Sequence, residues 1–291
     1  MPEVPADDTV DVAVCQLAPQ LGDVRGNVER AVAAVRDAAG RGARLVVLPE
    51  LVTTGYVFAD VEEVRSLAER SSGPSVSAFV DVARECAEEH GRDLVVVGGF
   101  AELDEEDVLR NSAFVVDSSG LRAVYRKVHL WDREASLFVP GTEPPAVVDT
   151  DVGRIGVCVC YDLEFPEWTR TAALAGVDVL CAPTNWPSSW RPSGERPAEV
   201  VRAQATASVD RVFVAVCDRV GQERGVDWVG GSAIVDPNGY PLALSSLDDT
   251  VQTLMAPCRL SDARSKGTSA VNGVVADRRP DLYGAVTRPL Q

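Results

Sequence analysis

The sequence lacks what a partner of nucleic acids or of membranes would need. Lys and Arg number 28 against 44 Asp and Glu, a formal net charge of −16, and no Lys/Arg block interrupts the 291 residues. Binding a phosphate backbone requires clustered cations that displace its counterions, so no nucleic acid partner is expected. The acidic excess is spread along the chain, which reads as a solvating surface. No apolar run approaches the ~18–20 residues of a membrane span. No basic start followed by an apolar stretch marks a secretory leader. A cytoplasmic, reducing setting with no membrane partner is the expectation. Histidine is scarce, with only His90 and His129. Repeats at solenoid periods and long Gly/Ser linkers are missing too. The simplest organisation is one domain over 9–291, with 1–8 as a polar, Pro-containing flexible tail.

What is present fits a layered α/β protein. Hydrophobic residues make up 46% and charged residues 25% of the chain, enough for a large core. DVAVCQLAP from Asp11 reads as a buried strand. NVERAVAAVRDAAGRGA follows as a helix, with Asn27 as N-cap and Gly40 as stop. ARLVVLPE is the next strand, ending at Glu50, and this β–α–β opening repeats along the chain. A helix is expected over Ser75 to Glu89, a strand from Asp93, and a hairpin-like pair from Asn111 through LRAVYRKVHL. Strands from Gly153, Val177 and Arg211 alternate with helices near Pro166–Ala175 and Ala198–Ser208. Pro237-Asn238-Gly239 marks a turn between two late strands.

Three apolar strands each lead to a reactive side chain: Glu50 in LVVLPE, Lys127 in VYRKVHL and Cys160 after IGVCV. Strand ends are where ligand crevices form in α/β sheets. A carboxylate, an ammonium and a thiol together suffice for acyl transfer. Cys158 and Cys160 form a C-x-C pair, but a metal site would want further Cys or His at close spacing, and none is near. Cys158 therefore reads as core, as do Cys15, Cys86, Cys181, Cys217 and Cys258. His129 is the sole candidate partner for a Cys–His dyad. Strand alternation would point it to the same face as Lys127, and a structural role is the better reading.

LPELVTTGY around Glu50, YRKVHLWDRE around Lys127 and GVCVCYDLEFPE around Cys160 resemble the three signature segments of the nitrilase (carbon–nitrogen hydrolase) superfamily. DRVGQERG, GGSAIVDPNG and RRPDLYG extend the likeness from about Val10 to Gly284. The resemblance implies a four-layer α-β-β-α sandwich and a homodimer or higher homo-oligomer. It also implies Cys160 as nucleophile, Glu50 as general base, and Lys127 with the Tyr161 backbone N–H holding the oxyanion. Glu134 matches a second carboxylate, expected to position Lys127 or a water. Asn185 and Trp186 match a segment bordering the acyl pocket, and Trp190–Arg191 suggests part of a lid. No metal or organic cofactor is implied. The expected reaction is hydrolysis of a small linear amide to an acid and ammonia through a thioester. A nitrilase or an N-carbamoyl-amine hydrolase would use the same residues. Acyl transfer to another acceptor, and a non-catalytic binding or scaffold protein, are the rivals from outside hydrolysis.

Overall fold

The computed structural model describes residues 8–288. Residues 1–7, most of the expected tail, lie outside the described residues. Asp8 is not tail-like: its carbonyl accepts the Leu260 N–H at 2.9 Å, and its carboxylate accepts the Ser261 N–H and pairs with Arg264. The first half of the chain forms β1 (Thr9–Gln16), α1 (Val24–Gly40), β2 (Leu45–Val47), α2 (Val61–Leu67), α3 (Pro74–His90), β3 (Val95–Leu103), β4 (Leu109–Asp117) and β5 (Gly120–Arg126). Next come α4 (Glu134–Leu137), β6 (Ala146–Thr150), β7 (Gly153–Val157), α5 (Pro166–Leu174), β8 (Val179–Pro183), α6 (Ala198–Asp210) and β9 (Phe213–Cys217). The short hairpin β10 (Gln222–Glu223) and β11 (Val226–Asp227) is followed by β12 (Ala233–Val235), β13 (Pro241–Leu244), β14 (Gln252–Arg259) and α7 (Leu260–Arg264).

Two six-stranded sheets carry the fold, in the orders β14-β1-β2-β3-β4-β5 and β13-β12-β9-β8-β7-β6. The central strands of each run parallel and the outer ones antiparallel. Strand alternation sorts side chains between layers. In the first sheet Val12, Val14, Leu45, Val47, Val95 and Val97 face the second sheet, in one core. The intervening Ala13, Cys15, Val46 and Val96 pack against Ala31 and Val35 of α1 and Phe79 and Val82 of α3. Ala172 and Ala173 of α5 and Val200, Ala203 and Ala207 of α6 cover the outer face of the second sheet. The result is the four-layer α-β-β-α sandwich. Among the described residues no helix is long and apolar enough to cross a membrane.

Several local expectations need correction. α1 starts before Asn27, capped by Asp23, whose carboxylate accepts the Gly26 N–H at 3.1 Å. Asn27 is buried and instead bridges the backbones of Gln20 and Thr53. β2 ends at Val47, so Glu50 stands on the loop beyond it, as Cys160 stands beyond β7. β14 went unseen because Pro257 and a half-buried pattern break the strand signature. It lies at a sheet edge, where a residue lacking an N–H is tolerated.

Gly99 of β3 is where the loop carrying Glu50 touches the sheet. Its N–H reaches Pro49 O and its carbonyl accepts from Val52 N, both at 3.0 Å. A methyl group on it would stand 2.3 Å from Leu51 N and 2.6 Å from the Glu50 Cα. Gly99→Ala is expected to displace that loop and cost about 1–3 kcal/mol of stability, read by denaturant unfolding, with activity falling further than stability alone explains.

Candidate active site

Three loops from the two sheets converge at one end of the sandwich. Lys127 follows β5 directly, its N–H donating to Asn111 O and its carbonyl accepting from Gly141 N. Gly141 presses on the Arg126 carbonyl, where a Cβ would stand 2.2 Å away. The Glu50 loop is tied across to the second sheet: Glu50 N–H donates to Thr184 O, and Asn185 Nδ2 donates to Glu50 O at 2.9 Å. Cys160 opens a 3-10 turn with φ +49°. That left-handed conformation is disfavoured for a residue with a side chain and recurs at functional positions.

The side chains form one buried cluster. Lys127 Nζ lies 2.8 Å from Glu50 Oε1 and 2.7 Å from Glu134 Oε1. Asn111 Nδ2 donates to Glu50 Oε1 at 2.7 Å. The Tyr56 hydroxyl donates to Glu134 Oε1 at 2.5 Å, and the Trp131 N–H donates to Glu134 Oε2. Glu50 Oε2 is buried and accepts no hydrogen bond among the described residues, and neither does Asn185 Oδ1. Cys160 Sγ lies 3.9 Å from Asn185 O, so Asn185 bridges the thiol and the Glu50 backbone. The Tyr161 N–H donates to no acceptor among the described residues.

Burial sets the proton affinities here. It pushes Glu50 up to about 7, against the pull of the Lys127 ammonium and with the push of Glu134. Burial likewise raises the Cys160 thiol well above its ordinary value, and the Glu50 carboxylate adds to it. Burial alone would strip Lys127 of its proton, but the Glu134 and Glu50 carboxylates outweigh it and hold its pKa well above usual. The cluster thus sets a thiol that holds its proton tightly against a carboxyl group of raised basicity. That arrangement can move a proton from sulfur to oxygen as the sulfur attacks.

Glu50, Lys127, Cys160, Glu134 and Asn185 are thus brought together. Trp186 is placed differently: it packs over Gly231 and Val200, and its N–H donates to Asp218. A cavity of about 160 Å³ next to Glu134 and Tyr56 is walled by Phe58, Leu137, Phe138, Pro187, Val226 and Trp228. His129 pairs with Asp162 at 2.7 Å and stacks on Phe165, a structural station. It lies past the end of β5, so strand alternation does not apply to it, and it is part-exposed where Lys127 is buried. Cys158 is core, and no group of three potential ligands for a metal ion occurs among the described residues. Tyr56 and Asn111 were not singled out from the sequence, although Tyr56 ends the LPELVTTGY segment. Trp190 is almost fully exposed.

Residues 11–267 match the carbon–nitrogen hydrolase family model. A protein named nitrilase from Pyrococcus abyssi is 36% identical over 94% of this chain and 99% of its own length. An (R)-stereoselective amidase from a Pseudomonas species is 33% identical over 82% of this chain and 81% of its own. Among solved structures, a glutamate-to-glutamine mutant of an amidase from Nesterenkonia sp. AN1 carries the acetamide moiety of fluoroacetamide on its active-site cysteine. It aligns over 97% of this chain and 98% of its own with a TM-score of 0.76 and 25% identity.

Cys160 retains 6% exposure while the other cysteines retain 1% or less. Brief treatment of the native protein with iodoacetamide is expected to label Cys160 first, as peptide mapping would show. Equal, slow labelling of all seven would contradict a poised thiol.

Proposed function

The chain belongs to the carbon–nitrogen hydrolase family and is an enzyme of that class, and from that premise we propose that it hydrolyses small linear amides to a carboxylic acid and ammonia. One observation supports the choice of amide over nitrile: Glu50 Oε2 and Asn185 Oδ1 are buried acceptors with no hydrogen-bond donor among the described residues. An amide nitrogen brings N–H donors to such atoms, whereas a nitrile brings none. A buried acceptor left unpaired costs about 1–3 kcal/mol, and sites built around such bonds reject analogues that lack them.

Glu50 Oε2 takes the Cys160 proton as sulfur attacks the carbonyl carbon. The oxyanion is held by the Lys127 ammonium and the Tyr161 N–H. Removing one such donor typically costs about 10²–10³ in rate. Glu50 passes its proton to the nitrogen, the C–N bond breaks, and ammonia leaves a thioester on Cys160. Water then attacks that carbon and gives a proton to Glu50. Collapse expels the sulfur, which recovers that proton, and the acid is released. Glu134 keeps Lys127 charged and fixed. The apolar cavity beside Glu134 takes the acyl chain. The alkylated cysteine of the Nesterenkonia amidase supports the nucleophile assignment. A cytoplasmic homo-oligomer completes the reading, on the family resemblance and on seven unpaired cysteines that suit a reducing compartment.

Ammonia release from aliphatic amides, matching nitriles and N-carbamoyl amines tests this. Amides are expected to exceed nitriles by about 10²-fold or more in kcat/KM. A preference for nitriles would overturn the substrate assignment. Cys160→Ala is expected to abolish turnover with the fold intact, and Glu50→Gln nearly so, because one group serves as base and acid. The pH profile follows from the base. Glu50 must be deprotonated to act, and its pKa is raised to about 7. Thus kcat/KM should climb as pH rises through about 7, not through the ordinary carboxylate range.

A further inference from the structure

We propose that the buried Arg219–Glu223 ion pair is a positioning device for the catalytic cluster, acting through the backbone and ring of Tyr56. The pair lies outside the catalytic groups: Arg219 is 1% and Glu223 6% exposed. Arg219 Nη1 donates to Glu223 Oε2 at 2.8 Å, and Nη2 donates to Pro19 O at 2.7 Å. The other Glu223 oxygen accepts two backbone N–H groups, of Tyr56 at 2.8 Å and of Val57 at 2.5 Å. A carboxylate that collects two amides of one loop fixes where that loop runs.

The same pair also holds the ring. The Arg219 guanidinium lies 4.5 Å over the Trp228 ring, and Trp228 meets Tyr56 edge to face at 5.5 Å. Gly55 has φ +84°, and a Cβ there would stand 2.8 Å from Glu223 Oε2 and 2.7 Å from the Leu21 Cα. The chain is thus seated against the carboxylate with no room for a side chain. Tyr56, held at both backbone and ring, places its hydroxyl on the Glu134 oxygen that also receives Lys127. Burying two charges costs more than a well-packed apolar pair would, and the cluster sits at the far end of what this pair fixes.

The consequence is electrostatic. Around Glu50 and Glu134 stand Lys127, Cys160, Tyr56 and, farther off, Arg219 with its partners Glu223 and Asp218. The Tyr56 hydroxyl stabilises the Glu134 carboxylate against its neighbour Glu50. With that donor withdrawn, two carboxylates share one ammonium with less support, and the proton affinity of Glu50 rises.

This inference rests on the mechanism proposed for Cys160 and Glu50, but its readout need not involve an amide. Alkylation of Cys160 by iodoacetamide would be followed from pH 5 to 9 in the full-length protein, alongside amide turnover, for Tyr56→Phe, Glu223→Gln and the double variant. Each single variant is expected to lower kcat by about 10-fold or more and to move the acid limb of both profiles to higher pH. In the double variant Glu223→Gln should add less than about 3-fold, because residues acting through one path are non-additive. Full additivity, or Glu223→Gln that slows turnover while leaving the limb in place, would show a merely structural pair and overturn the proposal. If Glu223→Gln does not fold, Tyr56→Phe alone decides: an unmoved acid limb with unchanged kcat removes the link to Glu134. Wild-type protein inert toward amides, with the alkylation limb still shifted in the variants, would sink the amidase reading and leave this one standing. Normal turnover with no shift in the variants would do the reverse.

Discussion

One ammonium, that of Lys127, holds two carboxylates from different stretches of the chain in a place closed to solvent. Two buried carboxylates so close cannot both stay ionised unless a cation stands between them. A buried cation is equally untenable without them. Each of the three makes the other two possible, which is why the surrounding structure is rigid where it meets them. Gly99 lies under the Glu50 loop, Gly141 lies under the turn after β5, and Asn185 ties the second sheet to the first.

The sequence made the strands legible where they run through the middle of a sheet. β8 and β9 are buried on both faces and read as unbroken apolar runs, and β1 and β3 do so over most of their length. The turn at Pro237–Gly239 and the β4–β5 hairpin were equally visible. At the edges the signal fades: β14 contains Pro257 and has one face half exposed. Glu50, Lys127, Cys160 and Glu134 stood out through the segments around them. Asn111 did not, because only the register of β4 against β3, which carries the Glu50 loop, brings a residue near the start of a strand beside Glu50. Glu223 was hidden for the same kind of reason. Its partners, Tyr56 and Val57, lie far away in sequence, and nothing local distinguishes it from a solvated glutamate.

The thiol, too, depends on its surroundings more than on its own chemistry. Cys160 sits in a backbone conformation that side chains avoid, with its proton held more tightly than in water. Neither property favours attack in isolation. In the proposed mechanism, a base of raised proton affinity together with these two properties would postpone ionisation until a carbonyl carbon is in reach, which would protect the sulfur from incidental oxidants.

The surplus of negative charge in the cluster bears on how a turnover ends. In the amide hydrolysis proposed above, substrate and ammonia are both free of negative charge, so neither would meet repulsion from Glu50 and Glu134. The carboxylic acid is different, since it ionises as it forms and becomes a third anion beside a single ammonium. On the proposed reaction, the site that admits the neutral reactant would evict its product, and departure of the acid would be driven by the same imbalance that raises the proton affinity of Glu50.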